Sequence, residues 1–183
     1  MALLSPAARQ GTGPLARLMR EGGLYCVFQP LADLREGQVY AHEALIRGPQ
    51  NTPLHTPDKL LELARHEGIL QDFELLCVYT AMEQWGRHDA PGRLFVNISA
   101  DALVHGVQLI GATELGNTVR SLGLSARMLV LEITEHERVT DMPPLRQAIK
   151  AALFDYKHRI REGYKFYSQD LINNLFTHPY TKI

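Results

Sequence analysis

The stretch YCVFQPLADLREGQVYAHEALIRGP, residues 25–49, has the pattern of two strands joined by a turn. Apolar and β-branched residues over 24–31 and again over 38–46 suit strands. The intervening ADLREG is polar and ends in Gly37, where a hairpin turn can use a glycine. The sequence therefore predicts that the two strands pair with each other.

Helical and strand patterns alternate downstream of this hairpin. Thr56, followed by Pro and Asp, has the composition of a helix N-terminus with a hydroxyl cap, and apolar residues recur at helical spacing until Gly68. A second helix is predicted over 73–85, a short strand over 93–99, then a polar helical stretch and another strand within 123–135. Strands separated by helices predict βαβ units around a parallel sheet, in a barrel or a doubly wound fold.

Length and composition indicate one folded domain with room for an appendage. Of the 183 residues, 45% are hydrophobic and 21% charged, a balance that disordered chains do not have. The formal charge is −1, so no overall field favours a nucleic acid polymer or an anionic membrane surface. No apolar run reaches the roughly 20 residues of a membrane span, and the start lacks the apolar block of a signal peptide. We therefore expect a cytoplasmic protein, with residues 1–22 as a mobile leader or one short helix.

Three polar residues interrupt otherwise apolar strands: Glu43 in YAHEALIR, Asn97 in LFVNIS and Glu132 in LVLEITE. Two carboxylates and an amide on neighbouring strands suit a hard divalent cation such as Mg²⁺, which prefers oxygen ligands and retains waters. In a β/α barrel, residues near the C-terminal strand ends face the mouth of the active site. The alternative is that each residue merely ends its strand, solvated or paired with a helix N-terminus.

Two further polar side chains belong to the hairpin. Arg47 lies two positions beyond Leu45 and therefore on the same face of its strand. Its guanidinium suits a bidentate contact with a phosphate, and a surface ion pair is the alternative. Gln29, in FQPL, stands at a strand end, where it can hydrogen-bond a ligand or cap the turn.

The segments at 25–49, 94–99 and 129–135 resemble, in order and separation, the opening motifs of EAL domains. This ordered set spans about residues 24–142 and is much more specific than the Glu-Ala-Leu tripeptide alone. EAL domains are modified (β/α)8 barrels that cleave one phosphodiester bond of cyclic-di-GMP with Mg²⁺ or Mn²⁺. The resemblance implies metal ligands at Glu43, Asn97 and Glu132, a dinucleotide site lined by Gln29, Leu45 and Arg47, and a supporting acid at Glu135.

The resemblance is incomplete. The family's Asp-Asp-Phe-Gly strand, whose aspartates complete the metal site, and its catalytic lysine have no counterpart in the 183 residues. A full barrel takes about 250 residues, so the predicted fold is an incomplete TIM-like (β/α) barrel of the EAL type over residues 23–146. Residues 147–183 are predicted to be a helical tail of different origin. Within it, residues from about 149 to 183, and especially YSQDLINNLFTHPYTKI, weakly resemble the segment that follows the core of Fic-family proteins, whose own signature is absent.

Three functional hypotheses follow from the resemblance. The first is an EAL-type protein related to cyclic-di-GMP phosphodiesterases, with little or no hydrolysis of its own. The second is a non-catalytic module that binds cyclic-di-GMP or a partner protein, and the third is an enzyme whose missing ligands come from another chain. Because half of a barrel leaves two sheet edges unpaired, we also expect self-association.

Overall fold

The computed structural model describes residues 4–33, 35–88, 92–125 and 128–134, and the predicted tail over 147–183 lies outside them. Six helices and four strands follow one another in these described ranges. In chain order they are α1 (Pro6–Gln10), α2 (Pro14–Glu21), β1 (Tyr25–Asp33), β2 (Gln38–Arg47), α3 (Pro57–His66), α4 (Leu70–Arg87), β3 (Arg93–Ser99), α5 (Ala100–Ile110), α6 (Ala112–Ser121) and β4 (Leu129–Thr134). None of these helices is long and apolar enough to cross a membrane.

The four strands form one sheet in the order β1-β2-β3-β4. β1 and β2 are antiparallel, so the predicted hairpin is confirmed, with Tyr25 opposite Arg47. β2 runs parallel to β3, and β3 runs parallel to β4, with a helical pair crossing over between each two strands. The prediction of βαβ units around a parallel sheet is therefore confirmed for the described residues.

One face of the sheet packs against the helices and forms the larger core. Side chains alternate along a strand, and β3 directs Leu94, Val96 and Ile98 to this face, where all three are buried. The chain's single tryptophan, Trp85 of α4, packs there against Phe28, with ring centroids 4.9 Å apart. Packing on this face fixes which side chains of each strand point toward the helices, because a shift of one residue would bring polar side chains into the core.

The N-terminal segment differs from the prediction of a mobile leader or one short helix. Its described residues form two helices, each with a proline at its first position. Leu4 and Leu15 are buried in a second core, together with Leu60 of α3 and Phe73 of α4. Helices of five and eight residues are too short to be stable by propensity alone, so they depend on tertiary packing that a local pattern does not reveal.

Two carboxylates hold these short helices in place. Glu67, at the end of α3, accepts hydrogen bonds from the backbone N–H groups of Leu15 (2.9 Å) and Ala16 (3.0 Å) and so caps α2. Gly13 permits the close approach, because a Cβ there would lie 2.2 Å from the Glu67 carboxylate. Buried Asp72 accepts from the backbone N–H (2.6 Å) and the hydroxyl (2.7 Å) of Ser5, which precedes α1.

One detail of the predicted caps is wrong. Helix α3 begins at Pro57 with Thr56 at the N-cap position, as its sequence indicates. The Thr56 hydroxyl, however, makes no capping hydrogen bond. Proline supplies no N–H, and Asp58 places a negative charge in the first turn, so the start of this helix depends less on a side-chain cap.

We expect Asp72→Ala to lower the free energy of unfolding by about 2–3 kcal/mol, because it leaves two partly buried donors of Ser5 without their charged acceptor. Urea denaturation measures the change. Glu36→Ala, at an exposed turn position, is the matched control and should stay within about 0.5 kcal/mol of the parent. A loss for Asp72→Ala as small as that of the control would contradict the assigned role.

Candidate functional site

The second face of the sheet carries the polar residues that the sequence singled out. Pairing sets Gln29 of β1 opposite Glu43 of β2, and Asn97 of β3 opposite Glu132 of β4. Because Glu43 pairs with Phe95, Asn97 lies on the same face, two residues farther along β3. We call the face that bears Gln29, Glu43, Asn97 and Glu132 the site face.

A hydrogen bond joins two of the three predicted metal ligands. Nδ2 of Asn97 donates to Oε1 of Glu43 over 2.8 Å, and both side chains are half-buried. The bond runs diagonally across the sheet, since Asn97 lies beyond the direct partner of Glu43. The contact fixes the two side chains relative to each other, and rotation of the amide by half a turn would present its oxygen instead.

Glu132 belongs to the same group of charges. Partial desolvation raises the pKa of its carboxyl, and the negative charge of nearby Glu43 raises it further. The side chain is nevertheless exposed by surface area, so the desolvation is incomplete. A carboxyl whose ionised form is disfavoured by a neighbouring carboxylate lies where a cation would be stabilised.

The donor set fits part of a divalent cation's coordination sphere. Glu43 and Glu132 offer carboxylate oxygens and Asn97 an amide oxygen, which are hard ligands of the kind that Mg²⁺ and Mn²⁺ accept. Over the described ranges, no three His, Cys, Asp or Glu side chains cluster as a metal site. The described residues therefore supply two carboxylates and one amide, and water would have to complete the sphere.

The residues predicted to contact the dinucleotide lie around this group. Gln29 is exposed beside Glu43, while Leu45 and Arg47 are half-buried farther along β2. One guanidinium nitrogen of Arg47, Nη1, donates to the Ile46 carbonyl over 2.8 Å. Among the salt bridges of the described residues none involves Arg47, so the alternative of a surface ion pair is not seen there. Glu135, the predicted supporting acid, lies outside the described residues.

A polar pair at the end of β3, Ser99 and Glu74, was not predicted from the sequence. Ser99 caps α5, its hydroxyl accepting from the Ala102 backbone N–H over 3.1 Å. The Ser99 backbone N–H (3.2 Å) and hydroxyl both donate to Oε2 of Glu74 on α4. A serine between a strand and an Ala-Asp helix start is an N-cap signal, but nothing local indicates that Glu74 is its partner.

Two cysteines near the sheet have thiols whose pKa is raised by burial. Burial raises the pKa of Cys26 to about 12, although the charge of Arg47 opposes the shift. Burial also raises the pKa of Cys77 well above its usual value. Both thiols stay protonated, and a thiol is a much weaker nucleophile than a thiolate.

Comparison with known families decides the identity of the fold. The EAL domain profile matches residues 14–160. The chain belongs to the EAL domain family. A cyclic di-GMP phosphodiesterase of Pseudomonas aeruginosa is 32% identical over 126 residues, which cover 66% of this chain and 21% of the relative. The chain thus spans about a fifth of the length of that curated relative.

Two solved structures share the arrangement of the described elements. The Klebsiella pneumoniae BlrP1 complex with calcium and cyclic-di-GMP has a TM-score of 0.61 at 22% identity, covering 73% of this chain and 32% of that one. The Xanthomonas citri FimX EAL domain in complex with cyclic-di-GMP has a TM-score of 0.63 at 19% identity, covering 78% and 55%. At these identities the likeness concerns the fold, which is mixed α/β of the kind found in EAL domains. The Fic-like resemblance of about residues 149–183 stays a prediction.

We expect Glu132→Gln to stabilise the metal-free protein slightly at neutral pH, by less than about 1 kcal/mol because the group is exposed. The raised pKa means that ionised Glu132 disfavours the folded state above that pKa, and the penalty vanishes once the carboxyl is protonated in both states. Thermal unfolding should therefore show a higher midpoint for the variant at pH 7.5 and no difference near pH 3.5. A gain that persists in acid would show that charge is not its cause.

Proposed function

We propose that the site face of this EAL-family chain binds cyclic-di-GMP together with Mg²⁺ or Mn²⁺, with little or no hydrolysis by these 183 residues alone. The observation that carries the proposal is the 2.8 Å contact between Glu43 and Asn97, with Glu132 close enough for its pKa to respond to Glu43. Three oxygen-bearing side chains on one face of three parallel strands are suited to a hard cation.

Each part of the site face has its own role in this proposal. Glu43, Asn97 and Glu132 would hold the cation, which when bound would supply charge to polarise a phosphoryl oxygen. Arg47 contacts a phosphate, because its guanidinium retains donors beyond the single hydrogen bond to Ile46. Leu45 lies between Glu43 and Arg47 along β2, and Gln29 lies opposite Glu43 on β1. Both would contact the rest of the dinucleotide.

Low hydrolysis is proposed from the chemistry of the donor set. In-line attack on a phosphodiester is commonly assisted by two metal ions that stabilise both the attacking and the leaving oxygen. Two carboxylates and an amide are few ligands for two such ions. The 183 residues also contain no Asp-Asp-Phe-Gly segment, from which EAL enzymes take further metal ligands. Binding without turnover is therefore the function that the donor set supports best.

Calorimetric titration of cyclic-di-GMP, with and without Mg²⁺, beside a hydrolysis assay, tests the proposal. We expect binding that strengthens with Mg²⁺ and no measurable formation of the linear dinucleotide. Glu43→Ala should weaken the metal-dependent part of binding by more than about tenfold, since even partners outside the coordination sphere contribute 10–100-fold to metal affinity. Glu62→Ala, which removes an exposed carboxylate paired with Lys59, is the matched control and should bind like the parent.

The possible outcomes separate the hypotheses. Metal-dependent turnover by the chain would overturn the claim of low hydrolysis and favour an enzyme. Absence of binding with and without metal would overturn the proposal as a whole. Equal binding by the parent and by Glu43→Ala would show that the cation site lies elsewhere.

Self-association is a second proposal, favoured by the exposure of the site face. Val27 of β1 is 45% exposed and lies on that face opposite Leu45. In the described part of the sheet, β1 and β4 pair with a neighbour on one side only. Apolar residues beside a strand edge favour contact with a second copy of the chain. A second copy is also the source from which missing metal ligands would come in the hypothesis of an assembled enzyme.

We expect light scattering after size-exclusion chromatography to give a mass above that of the 20.6 kDa monomer. Val27→Lys should shift the population toward the monomer, because the introduced charge would be buried in the contact. Val39→Lys, at an even more exposed valine near the turn, is the control and should leave the mass unchanged. A parent chain that stays monomeric at high concentration would refute self-association.

A further inference from the structure

The end of β3 is held differently on its two sides. On one side, pairing with β4 continues to the last residue, Ser99, which lies opposite Thr134. On the other side, the pairing between β2 and β3 within the described sheet runs from Ala41 opposite Arg93 to Ala44 opposite Val96 and no farther. Asn97 thus lies just beyond the point at which β2 stops supporting its strand.

A cavity lies where β2 and β3 separate. It measures about 310 Å³ and is lined by the C-terminal parts of β2 and β3 together with residues of α3 and α4. Leu45 and Asn97 of the site face both contribute to its wall, and so does Glu74 of α4. The carboxylate of Glu74 therefore reaches the region where a paired β2 would otherwise supply hydrogen bonds to β3.

Glu74 supplies the hydrogen-bond acceptor for Ser99, the last residue of β3. Its Oε2 accepts from the backbone N–H of Ser99 over 3.2 Å and also from the Ser99 hydroxyl. A backbone N–H at the end of a strand needs an acceptor, and a carboxylate is a stronger one than a neighbouring carbonyl. Since Asn97 is only two residues away, fixing Ser99 also limits how far Asn97 moves relative to Glu43.

We propose that Glu74 is a positioning residue for the candidate site, which takes the place of β2 at the end of β3 and keeps Asn97 against Glu43. It does not touch a ligand itself and acts through Ser99. This role rests on the proposed function where metal affinity is the quantity measured. The positions of Ser99 and Asn97 can be measured without any ligand.

The simpler alternative is that Glu74 and Ser99 only cap helix α5. Capping alone would affect the first turn of α5, where Ser99 accepts from Ala102, and would leave the Asn97 side chain unchanged. Ser99→Ala separates the two roles, because it removes the capping hydroxyl but keeps the backbone N–H that donates to Glu74. Glu74→Ala removes the acceptor of both donors.

The test is nuclear magnetic resonance of the metal-free 183-residue chain, followed by Mn²⁺ titration monitored by electron paramagnetic resonance. In Glu74→Ala, the Ser99 amide should exchange about tenfold faster, as expected for the loss of one charge-assisted hydrogen bond. The side-chain NH₂ resonances of Asn97 should shift toward those of a free amide, and Mn²⁺ affinity should fall about tenfold or more. Ser99→Ala should change the Asn97 resonances much less.

Two further variants keep the test decisive. Glu74→Gln retains an acceptor of the same size, so it should fold and show the same changes to a smaller extent. Glu83→Ala removes another carboxylate from α4, one that pairs with Arg87, and should leave Ser99 and Asn97 unaffected. Unchanged Ser99 exchange and unchanged Asn97 resonances in Glu74→Ala would overturn the inference. If the parent takes up no Mn²⁺, the proposed function fails, and the resonances still decide the role of Glu74.

Discussion

The parallel pairing of β3 with β4 is the constraint on which the candidate site depends. It sets Asn97 directly beside Glu132, and the pairing of β2 with β3 brings Glu43 within hydrogen-bonding reach of Asn97. Because side chains alternate between the two faces, burying Leu94, Val96 and Ile98 under the helices obliges the intervening Asn97 to face the other way. The register of the sheet therefore determines both the packing of the core and the geometry of the site.

Acidic residues serve two distinct purposes in this chain. On the site face, partial desolvation and the negative charge of Glu43 raise the pKa of the Glu132 carboxyl, so its ionised form costs stability. At the end of α3 and in the first turns of α4, Glu67, Asp72 and Glu74 instead accept hydrogen bonds from backbone N–H groups that begin other elements. Negative charge is stabilising beside a helix N-terminus, so this second group supports the fold that carries the first.

The parts of the structure that were predictable are those with a local signal. The hairpin, the strands that hold Asn97 and Glu132, and the helices between them follow from alternation and helical spacing along the chain. The two N-terminal helices were not foreseen, because Leu4 and Leu15 are buried by α3 and α4, which come much later in the sequence. The bond between Glu74 and Ser99 joins residues 25 positions apart and has no local pattern. The roles of Glu43, Asn97 and Glu132 as metal ligands remain predictions, as do those of Gln29, Leu45 and Arg47 as ligand contacts.

The irregularity in the hairpin bears on how this protein can vary. Leu31 pairs with Ala41 while Ala32 pairs with Val39, so Tyr40 is an extra residue that bulges from β2. The bulge lies between the turn and Glu43, and it absorbs the change of register before the strand reaches the site face. A change in the length of the turn can therefore be accommodated upstream of the bulge. The position of Glu43 and the length of the loop at 33–38 are in this way uncoupled.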